Sequence, residues 1–236
     1  MVHDEVADGE LAEYYRERAS EYDAVYRKPE RQRDLAVLKE LLPRLTHHRH
    51  VLEVAAGTGY WTEVIATTAA SITATDLTAE TLAVAATRDY SQTEMRLLTA
   101  DAYRLDDVPG EFDFVFCGFW WSHVPRTRIS RFMAGLSSRV PARTQLVLLD
   151  NRYVPGSNHP ITRTGPDGDT YQTRKLRNGC EYEVLKNFPD RDQLTADLDP
   201  WANGLRYTAL EYYWLATCVL RGEVTGGEVT GKPLPE

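Results

Sequence analysis

Residues 50–66 read HVLEVAAGTGYWTEVIA. The apolar run up to Val54 predicts a strand, and the apolar spacing from Tyr60 onward predicts a helix, so Gly57 and Gly59 sit in the turn that joins them. Without a Cβ, glycine lets a ligand approach backbone N–H groups at a helix start, but it also suits a tight turn that binds nothing. The rest of the chain has to decide between the two.

Downstream the same alternation recurs: helix 60–68, strand 71–75, helix 78–87, strands 95–99 and 112–117, a helix opening near Pro125, and strand 145–149. Strands alternating with helices predict a parallel sheet covered on both faces. Upstream, residues 8–26 and 30–42 carry helical spacing, and Pro43 is expected to stop the second helix. After Asp150 the chain turns rich in Gly, Pro and Asn, and TYQTRKL and CEYEVLK flank RNG as the arms of a hairpin do. A helix over 190–199 follows, and LRYTALEYYWLATCVL supplies one long strand or a strand pair. The tail 223–236, which contains a repeated GEVTG, is expected to be disordered. The expected organisation is one domain over 1–222, with a cap at 8–44, a core at 49–150, and a cap insertion with the final strands at 151–220.

The chain has 236 residues, a formal charge of −8 and three cysteines. Length and ordinary apolar content fit one sizeable core. The negative charge argues against nucleic acid as a general partner, because such binding rests on Lys and Arg neutralising phosphates. Arg126, Arg128, Arg131, Arg139 and Arg143 then read as a solvated helix face. No apolar run is long enough to cross a bilayer, and MVHDEVADGE is too acidic for a targeting signal, so a cytoplasmic protein is expected. Cys117, Cys180 and Cys218 show no paired spacing and predict neither disulfides nor a zinc site.

Open parallel sheets bind ligands beyond the carboxyl ends of their strands. Three of the first four strand ends carry chemistry: Glu53 with Gly57 and Gly59 at the first, Asp76 at the second and Asp101 at the third. A nicotinamide fingerprint would need a third glycine where Thr62 stands, and a phosphate-binding loop would need Lys-Ser or Lys-Thr after the glycines. Neither pattern is present.

In these residues the chain resembles the class I S-adenosylmethionine-dependent methyltransferases, small-molecule type. Their first motif, acid-x-Gly-x-Gly-x-Gly, stands here from Glu53 to Gly59 with Ala55 in place of the first glycine. The resemblance covers roughly residues 11–150 and implies a Rossmann-like, doubly wound, mainly parallel seven-stranded α/β sheet with an N-terminal helical cap and a β-hairpin insertion after the fifth strand. It implies S-adenosylmethionine as cofactor, with the Gly57–Gly59 turn against its methionyl part, Asp76 on the ribose hydroxyls, and Asp101 with Ala102 at the adenine edge. Glu53, Ala55, Leu77, Tyr103 and Gly118 complete the expected cofactor set. YYRERASEYD resembles a segment that closes over the cofactor and adds Tyr14, Arg18 and Tyr22.

The acceptor is expected beside FDFVFCGFWWSHVP, since the fourth strand ends near the transferred methyl in this family. Trp120 and Trp121 are candidates for an aromatic wall, and His123 is the candidate general base. CGFWWSHV has neither the Asn/Asp-Pro-Pro-aromatic motif of nucleic-acid amino methylation nor a Pro-Cys nucleophile, and Cys117 reads as buried structure. Asp150 and Asn151 occupy the position of magnesium ligands in catechol-type enzymes, but the loop after the fourth strand offers no acid. No metal is therefore expected, and Asn151 is assigned to substrate or to fixing the insertion. His47, His48 and His50 lie at the opposite end of the sheet and read as surface residues. The combined expectation is metal-independent transfer to oxygen or nitrogen of a small, aromatic or heteroaromatic molecule in specialised metabolism, by a monomer or homodimer. An S-adenosylmethionine-binding regulator without turnover and a nucleotide-dependent oxidoreductase stay open as alternatives.

Overall fold

A computed structural model of the chain describes Glu13, residues 19–176 and residues 179–221, without the side chains of 19–22. Tyr14, Arg18, the Tyr22 side chain, the Arg177–Asn178 part of the RNG turn and the tail 223–236 lie outside the described residues. In chain order the elements are α1 (Gln32–Thr46), β1 (His50–Val54), α2 (Tyr60–Ala66), β2 (Ser71–Asp76), α3 (Ala79–Ala85), β3 (Glu94–Thr99) and β4 (Phe114–Gly118). There follow α4 (Ile129–Arg139), β5 (Gln145–Asn151), β6 (Arg163–Thr164), β7 (Thr170–Lys175), β8 (Glu181–Leu185), α5 (Arg191–Leu198), β9 (Ala202–Ala209) and β10 (Tyr213–Leu220).

Seven strands form one sheet in the order β3-β2-β1-β4-β5-β10-β9. β1 to β5 run parallel, and β10 pairs antiparallel with both β5 and β9. The aromatic C-terminal run is thus a strand pair. Period-two alternation sends Leu52, Val115, Cys117, Leu146 and Leu148 to one face, and Val51, Phe114, Phe116, Val147 and Leu149 to the other. Each face buries its own cluster. On the first, α4 contributes Ile129, Phe132, Met133 and Leu136, spaced three and four residues apart; on the second, α1 contributes Leu35, Leu38 and Leu42. Among the described residues no helix is long and apolar enough to cross a membrane.

Three expectations need correction. α1 does not stop at Pro43 but continues to Thr46. Proline there removes one intrahelical bond, and the turn is held instead by buried Leu42 and Thr46 and by Thr68 Oγ1, which donates to Pro43 O at 2.7 Å. The segment Ala19–Arg27 winds as a 3-10 helix, anchored where Tyr26 stacks on Tyr60 with ring centroids 3.8 Å apart. The insertion is more than a hairpin, because β6 adds a third antiparallel strand to β7 and β8. Asn187 fastens this small sheet to the segment after β4, its N–H donating to Ser122 O at 2.8 Å.

Candidate active site

At the carboxyl edge of the sheet, the Gly57 N–H donates to Asp76 Oδ2 at 2.9 Å, joining the ends of β1 and β2. Asp76 Oδ1 accepts from Thr78 N and from the hydroxyls of Thr78 and Thr81 at 2.8–3.0 Å. The acid is therefore held in place while still partly exposed. Gly57 and Gly59 both have positive φ, but they face different surroundings. A Cβ on Gly59 would lie 2.5 Å from Tyr90 Oη and 2.9 Å from Ala85 Cβ, whereas a Cβ on Gly57 would meet nothing within 4 Å. Gly59 closes the helix against its neighbours, and Gly57 leaves open space on the side where a Cβ would stand. Ala55, standing for the first glycine of the motif, takes φ 56°, where a Cβ is strained.

Glu53, behind this turn, is 2 % exposed and its Oε2 has no hydrogen-bond partner among the described residues. Burial, reinforced by the Asp76 carboxylate, pushes its pKa up to about 8. An orphaned buried carboxyl oxygen, a glycine open to approach and an acid fixed at the next strand end suit a cofactor carrying an ammonium group and a ribose diol. Leu77 is exposed beside Asp76, and Asp101 Oδ1 accepts from Tyr103 N at 2.9 Å, which turns Ala102 and Tyr103 across the end of β3. Asp23 ties the N-terminal cap to the same turn through Thr58 Oγ1, at 2.7 Å, and through an ion pair with Arg88.

β4 ends at Gly118, where a Cβ would press on the Phe116 ring at 3.1 Å, and Phe119 then adopts φ 63°. Such a conformation is costly for a bulky residue. It turns Phe119 into a cavity of about 90 Å³, which Asn151 at the end of β5 also lines. The cap supplies Tyr26, Lys28 and Arg31 to this chamber, the added sheet supplies Gln172, Arg174 and Lys186, and Tyr213 comes from β10. Sequence reading names only Asn151 individually among these residues, while expecting the stretches 158–176 and 201–215, which hold Gln172, Arg174 and Tyr213, to shape the pocket.

The two tryptophans lie elsewhere. Trp120 has helical φ and ψ and precedes the 3-10 turn Trp121–His123, so the pair does not alternate as it would along an extended backbone. Both indoles pack on Phe132, with centroids 6.2 Å away, and neither lines the chamber. His123 is 6 % exposed, with Nδ1 2.7 Å from Leu185 O and Nε2 3.5 Å from Lys186 Nζ. A carbonyl only accepts, so Nδ1 carries the proton and the Nε2 lone pair faces the lysine. Lys186 Nζ also donates to Ser122 Oγ and to Asp150 Oδ1, the latter at 3.0 Å. Burial lowers the Lys186 pKa to about 8 against the opposing pull of Asp150. Asp150, which also accepts from Ser122 N and Asn151 N, fixes the insertion to the core. Among the described residues no group of three His, Cys, Asp or Glu side chains is placed to hold a metal ion.

The methyltransferase domain family matches residues 51–140. No curated protein matches the chain. Among solved structures, a DhpI–SAH complex is 27 % identical with a TM-score of 0.73, over 92 % of this chain and 97 % of that one. A DhpI–SAM–HEP complex is 28 % identical with a TM-score of 0.70, over 90 % and 97 %. SAM-bound CalS10, an amino pentose methyltransferase from Micromonospora echinaspora, shares the fold at 20 % identity and a TM-score of 0.55, over 83 % and 95 %. With these likenesses and the Glu53–Gly57–Asp76 geometry, residues 51–140 carry a methyltransferase domain, the chain has the fold of the class I methyltransferases, and the SAH and SAM complexes support S-adenosylmethionine as its cofactor.

Proposed function

We propose that the protein transfers a methyl group from S-adenosylmethionine to an oxygen or nitrogen of a small molecule held in the chamber beside Phe119. The observation that carries this reading is the position of the cavity: a partly open space of about 90 Å³ at the ends of β4 and β5, on the same sheet edge as the Gly57–Asp76 crevice. At about 10–15 Å³ per water on this measure, it has room for roughly six to nine water-sized atoms. That favours a compact acceptor over a polymer. The small-molecule reading also draws support from the likeness to DhpI, solved with SAM and HEP.

S-adenosylmethionine supplies an electrophilic methyl on a sulfonium. The chain's part is to bind, orient and exclude water, so that the acceptor is held in line in a dry site. In this proposal Gly57, Asp76, Asp101 and Ala102 hold the cofactor with Leu77, Tyr103 and Gly118, Glu53 receives its ammonium, and Asn151 faces the acceptor. His123 becomes a positioning residue, since its Nε2 lies 3.5 Å from Lys186 Nζ. The aromatic acceptor expected from Trp120 and Trp121 loses its support with their placement against Phe132. Metal-independent action in the cytoplasm, within specialised metabolism, completes the proposal.

Calorimetric titration with S-adenosylmethionine, S-adenosylhomocysteine and NAD tests the cofactor, and labelled methyl transfer to a panel of small acceptors tests turnover. Binding of the first two with transfer to a member of the panel supports the reading. Binding without transfer to any class of acceptor would leave a regulator in its place.

A further inference from the structure

The chamber has a charge that methyl transfer alone does not require. Arg31, Arg174 and Lys186 are each at most 8 % exposed, Lys28 joins them, and among the described residues that line the chamber there is no carboxylate. Burying a cation is expensive unless an anion or a full set of acceptors compensates it. For Lys186 the compensation is visible, because Asp150 lies 3.0 Å away.

Arg31 is different. Its Nε donates to Ser157 Oγ at 3.0 Å, NH1 to Asn151 Oδ1 at 3.0 Å and NH2 to Ser157 O at 3.3 Å, while its guanidinium lies over the rings of Tyr212 and Tyr213. All of these partners are neutral. The carboxylate nearest along this chain of bonds is Glu30, on the exposed side of Ser157, which accepts from the Ser157 hydroxyl at 2.9 Å. Two buried acids lie in this neighbourhood: Asp150 is committed to Lys186 and two backbone N–H groups, and Asp34 accepts from Tyr212 N at 2.7 Å; neither is bonded to Arg31. A guanidinium held by neutral acceptors keeps its full charge for whatever enters.

These cations come from both walls. Lys28 and Arg31 belong to the N-terminal cap, Arg174 and Lys186 to the added sheet, and the space between them suits a small group with several charged oxygens. We infer that the chamber is an oxyanion subsite, and that the methyl acceptor is a small organic acid whose phosphonate, phosphate or carboxylate group is bound between Arg31 and Lys186. This inference rests on the methyltransferase reading for the word acceptor, but the anion site stands on the lining alone. It also gives the cap a second function, since an anion touching both walls joins cap to sheet.

The test uses the full chain and calorimetric titration with methylphosphonate, inorganic phosphate and acetate, each with and without S-adenosylhomocysteine, with acetamide as the uncharged control. The expected result is binding of at least one acid and none of acetamide, weakened about tenfold in Arg31→Gln with S-adenosylhomocysteine affinity unchanged. Methylphosphonate or phosphate binding more tightly than acetate assigns the site to a phospho-acid, and the reverse order assigns it to a carboxylate. If Arg31→Gln does not fold, Lys28→Gln, at a less buried position, provides the same comparison with a smaller expected loss. Acids that bind no better than acetamide, while S-adenosylhomocysteine binds, overturn the anion site and leave the methyltransferase reading intact. Acid binding without S-adenosylhomocysteine binding would do the opposite.

Discussion

Lys186 Nζ lies 3.0 Å from Asp150 Oδ1, with 5 % and 0 % of the two side chains exposed. The bond joins the end of β8 to the end of β5, so the core strand that closes the chamber and the added sheet that roofs it are linked by one ion pair. Removing one partner of such a pair leaves a buried charge without compensation. Lys186→Met and Asp150→Asn should each lower unfolding free energy by about 3–5 kcal/mol, and the double variant should recover part of the loss. Denaturant unfolding measures this. Single-variant losses below about 1 kcal/mol would show that the insertion is held by Asn187 and its neighbours instead.

His123 donates from Nδ1 to Leu185 O and turns Nε2 to Lys186, an arrangement that orients the lysine and offers no lone pair to the chamber. His123→Gln should lower stability by about 1–3 kcal/mol, through buried groups left without partners. Turnover should fall with it, but the pH–rate profile should keep its shape, because no proton leaves the acceptor through this ring. Disappearance of an acidic limb in the variant would restore His123 as a general base.

Asp76 has two tasks that substitution can separate. Its Oδ2 holds the Gly57 N–H and its Oδ1 organises Thr78 and Thr81, while its charge is proposed to bind the ribose hydroxyls. Asp76→Asn keeps the size and one oxygen acceptor for Thr78 and Thr81 but removes the charge and turns an NH2 toward the Gly57 N–H. Cofactor affinity should therefore drop about tenfold or more, with a smaller loss of stability than in Asp76→Ala. Asp76→Ala also releases the turn and should cost stability as well. Calorimetry and unfolding measured on both variants distinguish the roles, and unchanged affinity in Asp76→Asn would remove Asp76 from the cofactor site.

The sheet was legible because β1, β4 and β5 are apolar on both faces and bounded by turns, and the strand-end acids stand where a doubly wound sheet collects ligands. The chamber was not. Arg31, Arg174 and Lys186 come from a cap helix start and two strands of the insertion, and nothing local marks them as converging. Phe119 sits at a positive φ that sequence rules reserve for glycine, so its aim could not be read from FCGFWW. The tryptophans were misplaced for a related reason: an extended backbone would split them between two sides, but the 3-10 turn after Gly118 sends both to Phe132. In each case tertiary packing selected a backbone conformation that local preference does not favour.

Glu53 links stability to pH in the direction opposite to most carboxylates. Its pKa rises from an ordinary 4.5 to about 8 on burial, so between those values the folded chain holds a proton that the unfolded chain has lost. Folding stability should therefore be greatest below the lower value, decline as pH rises through the window by at most about 1.4 kcal/mol per unit, and level off above the upper value. Glu53→Gln removes this titration. Its unfolding free energy relative to the parent should improve steadily from pH 4.5 to pH 8, while its affinity for S-adenosylmethionine falls because the carboxylate proposed to face the ammonium is gone. Urea melts across that range, paired with calorimetry at pH 8, read both effects. A stability difference that does not change with pH would mean that Glu53 is already ionised in the free protein, with its orphaned Oε2 satisfied by solvent.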